Sequence, residues 1–282
     1  MKILITGIKG QVGHELMREL TEHELIGLTR QDCDLTDPDQ IKQVIDNLQP
    51  DLIINPAAFT KVDQAEDEPE LAFQINRDAP RVMAEKAREY NIQFIHFSTD
   101  YVFDGEKDKA YLEDDPTHPL GVYGQSKCAG EEAIQEVGGL TYIFRTSWVY
   151  SNIGHNFYLT MKQLSQERCE LKVVSDQIGV PTSSQLIAKQ IKVIIPQLHD
   201  KNTGIYHLVA DGSCSWHDFA KKIIHQTNPQ FDLENLHAIQ THEFPTKTKR
   251  PKNSILSNAK IKKTFHLSLN DWSQELNKII HG

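Results

Sequence analysis

A short apolar strand, residues 2–6, runs straight into a turn with three glycines, Gly7, Gly10 and Gly13, and then into a helical pattern. Glycines let a backbone turn tightly at the end of a strand, and the free N–H groups at a helix start bind phosphate. Such a turn also occurs in proteins that bind no ligand, so the three glycines alone are weak evidence. Their position directly after a buried strand favours a site for the pyrophosphate of a dinucleotide.

The chain continues with alternating strands and helices and shows no internal repeats. Further apolar strands are predicted at residues 25–30, 51–55, 92–97 and 141–144. This order predicts an α/β protein with a Rossmann-type, doubly wound parallel sheet. We expect residues 1–145 to form a dinucleotide-binding domain. Residues 146–282 are expected to form mainly a smaller α/β substrate-binding domain, with segments that return to the main sheet.

Local signals predict several helix boundaries. Asp37 and Pro38 are typical of a helix start, and Ser215 is a predicted N-cap. A single long helix is expected over residues 69–90. The acidic residues of segment 63–70 are expected to be a solvated face and helix-start charges, without a chemical role.

The bulk properties restrict the function classes. A net charge of −9 argues against a nucleic-acid partner or an anionic membrane surface. No apolar run approaches the ~20 residues of a membrane span, so we expect a cytoplasmic protein. The four cysteines and thirteen histidines show no metal-ligand spacing, so no metal site is predicted.

The end of the second strand bears on the choice of cofactor. Folds that prefer NAD usually place an acidic residue there, against the ribose 2′-hydroxyl. Here Thr29 and Arg30 stand at that position, with Asp32 slightly further on. An arginine can pair with a 2′-phosphate, which favours NADPH over NADH; the alternative is a solvated surface arginine. Asp34 and Leu35 are placed to meet an adenine ring.

Residues suited to carbonyl chemistry follow the strand at residues 92–97. Thr99 lies at its carboxyl end, and Tyr123 and Lys127, four apart, share one face of a predicted helix. We predict that Thr99 orients a carbonyl oxygen and that Tyr123 transfers a proton to it. Lys127 is expected to lower the pKa of Tyr123 and to hold the nicotinamide ribose. The cofactor supplies the hydride.

The same spacing recurs at Tyr158 and Lys162, also in a helical pattern. Spacing by itself therefore cannot choose between the two pairs. Context favours Tyr123, because a strand end that carries a hydroxyl precedes it and a buried strand follows its helix. Tyr158 follows the point at which the substrate domain is expected to begin.

Two further residues are candidates for substrate contacts. Trp148 follows a strand end, where it lines a pocket or packs in the core. Arg250 belongs to a basic cluster, residues 249–252, in an acidic protein. Such a cluster can bind a diphosphate, and the alternative is an ordinary solvated loop.

Motifs spread over nearly the whole chain are GIKGQVG from Gly7, NPAAFTKVDQAEDEPE from Asn55, STDYVFDG from Ser98, VYGQSKCAGE from Val122, RTSWVY from Arg145, DQIGVPT from Asp176, YHLVADGSCSWHDFA from Tyr206 and RPKNS from Arg250. Together they resemble the extended short-chain dehydrogenase/reductase family and, more narrowly, the family of dTDP-4-dehydrorhamnose reductases. The resemblance implies NADPH- or NADH-dependent reduction of the 4-keto group of a dTDP-linked 6-deoxysugar to give dTDP-L-rhamnose, a precursor of cell-surface polysaccharides.

The resemblance also implies roles for individual residues. Catalytic roles fall on Thr99, Tyr123 and Lys127, and substrate contacts on Thr99, Asp100, Tyr123, Trp148 and Arg250. The cofactor residues expected from the motifs and the resemblance together are Gly7, Gly10, Gln11, Val12, Gly13, Arg30, Asp34, Leu35, Ala57, Ala58, Phe59, Thr60, Tyr123 and Lys127. Some members of the family form metal-bridged dimers through glutamates. Glu15 matches one of those glutamates but Gln185 stands at another, so we expect a monomer or a weak homodimer without metal.

Two alternatives remain open at the level of the sequence. One is a reductase for another nucleotide-linked keto sugar, since such sites share the same three catalytic residues. The other is a non-catalytic regulatory subunit with the same fold, which predicts loss of those residues; all three are present.

Overall fold

The computed structural model describes residues 1–281. Its strands are β1 (Lys2–Thr6), β2 (Glu24–Leu28), β3 (Leu52–Asn55), β4 (Gln93–Thr99), β5 (Thr141–Thr146), β6 (Val149–Tyr150), β7 (Leu171–Val174), β8 (Ile178–Gly179), β9 (Thr182–Ser183), β10 (Gly204–His207), β11 (Cys214–Ser215) and β12 (Leu236–Ile239).

The α-helices are α1 (Gln11–Glu19), α2 (Pro38–Leu48), α3 (Val62–Ala65), α4 (Pro69–Phe73), α5 (Ala79–Glu89), α6 (Val122–Val137), α7 (Phe157–Glu167), α8 (Ser184–Ile194), α9 (Trp216–Thr227), α10 (Ala259–Thr264) and α11 (Trp272–His281). Single 3-10 turns are found at Asp100–Val102, Ile195–Gln197, Asp200–Asn202, Leu233–Asn235 and Thr241–Glu243, and a π-helix covers Gln74–Asp78.

Six parallel strands form the main sheet, in the order β10-β5-β4-β3-β1-β2. The chain leaves β1 toward β2 on one side and then crosses over to β3 on the other side. The strand order therefore reverses between β1 and β3, which is where doubly wound sheets bind their ligands. The predicted α/β fold with a doubly wound parallel sheet is confirmed.

Both faces of the sheet are buried, which explains why its strands are apolar runs and not alternating patterns. Successive residues of a strand point to opposite faces. Ile3 and Ile5 accordingly belong to a core shared with α1 and α8, whereas Leu4 belongs to a core shared with α2, α5 and α6. The helices on the two faces thus hold the strand ends at fixed positions.

The later part of the chain contributes to both the sheet and a separate cluster. Strand β10 pairs with β5 in the main sheet, and α8 packs in the same core as α1. A third apolar cluster instead joins β7, α7, α9 and α11 around Phe219. Residues after position 145 therefore contribute both to the main sheet with its covering helices and to the third apolar cluster.

The local helix signals are confirmed at two starts. Asp37 accepts hydrogen bonds from the backbone at the start of α2, and Ser215 does so at the start of α9. Among residues 1–281, the structure contains no helix with the length and apolar character needed to cross a membrane.

The prediction of one uninterrupted helix over residues 69–90 is wrong in detail. The segment consists of α4, the π-helix and α5. Pro80 has no N–H to donate to the carbonyl of Asn76, four residues earlier, so the regular α pattern cannot continue through this turn. The π-helix places Asn76, which is fully buried, where it binds two other segments of the protein.

Candidate active site

The carboxyl ends of the central strands meet at one edge of the sheet. Gly7 follows β1, Ala57 follows β3, and Thr99 ends β4. A Cβ atom on Gly7 would lie 3.0 Å from the Cβ of Ala57, so the two strand ends are in close contact. This edge is therefore the place where residues from distant parts of the chain come together.

A cavity of about 400 Å³ opens at this edge. Eight of the predicted cofactor residues line it: Gly7, Arg30, Asp34, Leu35, Ala57, Ala58, Phe59 and Thr60. The sequence analysis predicted no cofactor contact for its other lining residues, which are Thr6, Leu28, Thr29, Cys33, Lys61, Gln64, Glu68, Leu71 and Ile75. The cavity lies beside the reversal in strand order, as expected for a nucleotide site.

The glycine-rich turn lies next to this cavity. Gly7 has a φ of +60°, and Gly10 donates its N–H to the Gly7 carbonyl at 2.8 Å. A Cβ on Gly13 would lie 2.4 Å from the Gly7 oxygen, so only glycine fits there. Gly10 caps α1 without a side-chain hydrogen bond, which leaves N–H groups at the helix start for a phosphate.

The predicted cofactor residues Gly10, Gln11, Val12 and Gly13 are not part of the cavity lining. They form the start of α1 instead. The Gln11 side chain accepts hydrogen bonds from Ser151 Oγ at 2.9 Å and from Asn156 Nδ2 at 2.8 Å. Gln11 therefore connects the glycine-rich turn to the segment that precedes α7.

The charged residues that follow β2 bear on the choice between NADPH and NADH. The Asp32 carboxylate accepts hydrogen bonds from the Thr29 hydroxyl at 2.7 Å and the Thr29 backbone N–H at 2.8 Å, which lower its pKa. Asp32 is thus occupied within its own turn. Arg30 is 76% exposed, and its Nη2 lies 3.9 Å from Asp34. The guanidinium lines the cavity with most of its donors exposed.

Thr99 and Tyr123 are neighbours at the end of β4. Thr99 Oγ1 donates to Asp100 Oδ1 at 3.0 Å, and the Tyr123 hydroxyl is hydrogen-bonded to Thr99. The ring of Tyr101 meets that of Tyr123 edge to face, with the ring centroids 5.6 Å apart. The structure thus brings together the strand end and the helix that the sequence analysis paired.

The Lys127 amino group is buried beneath Tyr123, one turn along α6. Its side chain is 2% exposed, and Nζ donates to the Phe97 carbonyl at 2.6 Å and contacts His96 Nε2 at 3.0 Å. Burial lowers the pKa of Lys127 to about 8, against an opposing effect of the charge on Glu131. Lys127 is therefore held from below by two groups of strand β4.

The net shift of the Tyr123 pKa in this structure is upward, whereas the expected effect of Lys127 is to lower it. Burial raises the pKa of Tyr123, and the charge of Asp100 acts in the same direction, against the hydrogen bond to Thr99. Lys127 makes its hydrogen bonds to His96 and Phe97 instead. At neutral pH the Tyr123 hydroxyl is consequently protonated, which is the form that can donate a proton.

Asp100 and Trp148 border the same region. Asp100 is 2% exposed, burial raises its pKa to about 6, and its Oδ2 has no hydrogen-bond partner among residues 1–281. Trp148 is half-buried, has a φ of +46°, and stacks on Trp216 with the ring centroids 3.5 Å apart. A Cβ at Gly179 would collide with the Trp148 ring, so the residue at position 179 must be small.

Arg250 lies near Tyr123 through an intermediate residue. Its Nη1 donates to the Tyr101 hydroxyl at 2.9 Å, and its Nη2 donates to Asp63 Oδ2 at 2.9 Å. The predicted substrate residue is thus placed at the site, but its charge is paired with a carboxylate that the sequence analysis left without a role.

The acidic segment 63–70 is not simply a solvated face, contrary to expectation. Besides binding Arg250, Asp63 accepts a hydrogen bond from the Thr248 N–H at 3.1 Å. Glu66 Oε1 accepts from the Val122 N–H at the start of α6, at 2.8 Å. These two carboxylates attach the 248–250 segment and the start of α6 to the segment after β3. Sequence spacing carries no signal for such long-range partners.

Asn76 and His96 were also missed. Asn76 Oδ1 accepts from the Phe59 N–H at 2.8 Å, and its Nδ2 donates to Ser126 Oγ at 3.0 Å, so it joins the cavity wall to α6. A histidine inside an apolar strand, such as His96, is a signal that the sequence does contain, because buried polar groups need partners. Residues 1–281 contain no group of three or more His, Cys, Asp or Glu side chains suited to hold a metal ion.

Comparisons with known proteins agree with this geometry. The chain is 40% identical to the dTDP-4-dehydrorhamnose reductase of Escherichia coli K12, over 100% of this chain and 97% of that protein. A crystal structure of the Bacillus anthracis dTDP-4-dehydrorhamnose reductase in complex with NADP has a TM-score of 0.92 and 36% identity, covering 99% of this chain and 98% of that one. The corresponding Clostridium acetobutylicum structure has a TM-score of 0.94 and 37% identity, with the same coverage. The family model described as RmlD substrate binding domain matches residues 1–282, and the chain therefore belongs to that family.

Proposed function

We propose that this protein reduces the 4-keto group of dTDP-4-dehydrorhamnose to give dTDP-L-rhamnose, with NADPH as the reductant. The observation that carries the proposal is the meeting of Thr99, Tyr123 and buried Lys127 at the sheet edge that also holds the nucleotide-sized cavity. The full-length similarity to dTDP-4-dehydrorhamnose reductases, one of them solved with NADP, supports the substrate and the cofactor.

The residues at the sheet edge fit a bound dinucleotide. The close contact of Gly13 with the Gly7 carbonyl brings the start of α1 up to the end of β1, where the pyrophosphate would lie. When bound, NADPH supplies the hydride for the reduction. Arg30 provides exposed donors for a 2′-phosphate, whereas Asp32, which binds Thr29 through Oδ2, does not line the cavity. Asp34 and Leu35, which line the cavity, would flank the adenine.

Tyr123 is the proton donor. Because its raised pKa keeps the hydroxyl protonated at neutral pH, it can give its proton to the oxygen of the keto group as the hydride reaches the carbon. The Thr99 hydroxyl, next to Tyr123, orients the same oxygen. A single tyrosine supplies the proton and a single threonine aligns the acceptor.

Lys127 holds the nicotinamide ribose. An ammonium group has three N–H donors, and two of them already go to His96 and Phe97. The third remains for a ribose hydroxyl. Because the two protein contacts lie beneath the site, the lysine is positioned before the cofactor binds, which reduces the cost of ordering a long side chain.

The substrate contacts are assigned to Asp100, Trp148 and Arg250. A sugar hydroxyl that donates to Asp100 Oδ2 would satisfy a buried acceptor that lacks a partner. Trp148, supported by Trp216, offers a flat surface at the end of β5. Arg250 uses two of its five N–H donors on Tyr101 and Asp63, so the remaining ones can bind a diphosphate oxygen.

The test is a comparison of sugar nucleotides with the purified protein. Loss of reduced-nicotinamide absorbance is followed with dTDP-4-dehydrorhamnose, formed in place by enzymes that make it, and with other nucleotide-linked 4-keto sugars. The expected result is turnover that depends on dTDP-4-dehydrorhamnose. Equal or better turnover of another keto sugar would overturn the substrate assignment, and no turnover with any of them would favour a binding protein.

Cofactor preference is tested with Arg30→Ala. We expect the Michaelis constant for NADPH to rise about tenfold while that for NADH changes little, because only NADPH carries the 2′-phosphate. Arg168→Ala is the matched control, since Arg168 is an exposed arginine outside the cavity lining. Equal changes for both cofactors would refute the role of Arg30.

A further inference from the structure

A chain of buried polar side chains runs beneath the candidate active site. Lys127 Nζ contacts His96 Nε2 at 3.0 Å, and His96 Nδ1 contacts Asn55 Nδ2 at 3.1 Å. Asn55 Oδ1 in turn accepts from Thr6 Oγ1 at 2.5 Å. All four residues are at most 3% exposed. The chain crosses from α6 through β4 and β3 to β1, so it links the predicted catalytic lysine to the wall of the nucleotide cavity.

Each polar group in this chain must find its hydrogen-bond partner among its neighbours, because none of them reaches water. His96 is neutral, since burial, together with the nearby charge of Lys127, holds its pKa well below the usual range. A neutral imidazole has one N–H and one accepting nitrogen. The nitrogen that faces Lys127 therefore either accepts from the lysine or donates to it, and the other nitrogen does the opposite toward Asn55.

Two arrangements satisfy the whole chain. In the first, His96 Nε2 accepts from a charged Lys127. The Asn55 amide is then turned over from the orientation that the structure records, so that Nδ1–H donates to the amide oxygen and the amide nitrogen donates to Thr6. In the second, Asn55 keeps the recorded orientation, in which its oxygen accepts from Thr6 and its nitrogen donates to His96 Nδ1. Nε2–H then donates to an uncharged Lys127 amine. The charge on Lys127 is thus tied to the histidine tautomer.

We propose that His96, held by Asn55, is a positioning residue that fixes the Lys127 amino group through Nε2 and couples the charge of Lys127 to its own tautomer. His96 does not contact the substrate; it acts through Lys127. The kinetic consequences of this role rest on the proposed reductase function. The coupling between the histidine tautomer and the lysine charge does not depend on that function.

The charged groups around this chain are few. Lys127 faces His96 from α6, and no other charge acts appreciably on the imidazole. Lys127 itself is affected by the charge of Glu131 on the same helix, and Glu131 is paired with Arg145 of β5 at 2.6 Å. Because Glu131 and Arg145 are buried and paired with each other, His96 is the titratable side chain that Lys127 Nζ contacts directly.

The kinetic test compares His96→Leu with His96→Gln. Leucine has a suitable volume but cannot accept a hydrogen bond, so the ammonium form of Lys127 loses a stabilising partner and its pKa falls further. We expect the alkaline limb of the kcat profile to move to lower pH by about one unit, with kcat lowered about tenfold near neutrality. His96→Gln restores an acceptor and is expected to return the limb to within a few tenths of a unit of the wild-type position.

His207→Leu is the control for loss of a buried histidine. His207 is fully buried and hydrogen-bonded to the Ser257 carbonyl, away from Lys127. A structural cost alone would lower the melting temperature of both leucine variants and leave the alkaline limb of each unchanged. If the alkaline limb of the kcat profile of His96→Leu lies at the same pH as in the wild type, the proposal is overturned.

A second measurement needs no enzymatic activity. Ring ¹⁵N chemical shifts of His96 in the wild-type protein distinguish the Nδ1–H and Nε2–H tautomers, with His96→Gln for assignment. We expect Nδ1–H at neutral pH and a change to Nε2–H as the pH passes through about 8, where Lys127 loses its proton. A tautomer that stays constant across that range would refute the coupling even if the reductase function holds. If the tautomer changes but no sugar nucleotide is reduced, the proposed function fails and the coupling stands.

Discussion

Two helices of this protein carry a tyrosine and a lysine four residues apart, and their environments are reversed. In α6, the Lys127 amino group is buried against His96 and the Phe97 carbonyl of β4, and Tyr123 is half-buried beside Thr99. In α7, Tyr158 is 1% exposed and packs near Tyr150, whereas Lys162 is exposed. The local sequence spacing is the same in both.

The difference shows what the spacing leaves open. Four residues along a helix place two side chains on one face, but packing decides which of them is covered. A proton donor must reach the substrate, and its lysine must be held. In α7 the tyrosine ring fills the core of the third apolar cluster, and the lysine is in solvent. Tyr158 therefore has a packing role in α7, and the pair that it forms with Lys162 has no catalytic arrangement.

The largest expected effect separates the two tyrosines. Tyr123→Phe removes the proposed proton donor and should lower kcat by about 10³-fold, with little change in melting temperature. Tyr158→Phe removes the corresponding hydroxyl in α7 and should leave kcat at the wild-type value. Steady-state rates with NADPH and dTDP-4-dehydrorhamnose provide the measurement. A similar loss in both variants, or none in Tyr123→Phe, would erase the distinction.

The second-largest effect is expected to distinguish the two lysines. Lys127→Met should lower kcat about 100-fold, and Lys162→Met should have no effect on it. In the wild type, activity that needs charged Lys127 falls as the pH rises through about 8, because the folded-state pKa is lowered from the usual 10.5. A pH–rate profile measures this limb. A limb that begins only near the usual lysine pKa would contradict the buried environment.

The lowered pKa of Lys127 also affects the stability of the protein. Between about pH 8 and 10.5 the unfolded chain binds more protons at Lys127 than the folded chain does. The cost of burying the charge is therefore present below pH 8 and is relieved as the pH rises. Consistent with this, Lys127→Met should be at least as stable as the wild type at neutral pH, as judged by urea unfolding.

The smallest effect on catalysis, with a clear effect on stability, is expected for Tyr158→Ala. Removing a buried ring leaves a cavity and should cost about 3 kcal/mol of unfolding free energy. The activity per folded molecule should not change. Urea unfolding and kcat, measured on the same preparation, test this; a large loss of kcat in the folded protein would assign α7 a catalytic role.

Much of the fold could be predicted because its signals are local. Apolar strands, the glycine-rich turn and the capping residues Asp37 and Ser215 each act within a few residues of the chain. The parallel, doubly wound character of the main sheet follows from the alternation of strands and helices. The interruption at Gln74–Asp78 was missed, although Pro80 is visible in the interior of the predicted helix, where a proline disrupts the regular α pattern.

The candidate site was only partly predictable. Thr99 and Tyr123 lie together at the end of β4, Lys127 Nζ donates to the Phe97 carbonyl of the same strand, and eight predicted cofactor residues line one cavity. Asp63, Asn76 and His96 were missed, because their partners lie between 17 and 187 residues away in the chain. Hydrogen bonds over such separations leave no periodic pattern in the sequence.

The sequence by itself determined which residues are present at the strand ends and which side chains share a helix face, because those features depend on backbone geometry over a few residues. Only the tertiary structure decided their chemical state. Burial raises the pKa of Tyr123 and lowers that of Lys127, and His96 provides the lysine with a partner from a neighbouring strand. The physical reason is that solvation and hydrogen bonding depend on what surrounds a side chain in space, and those surroundings exist only after the chain has folded.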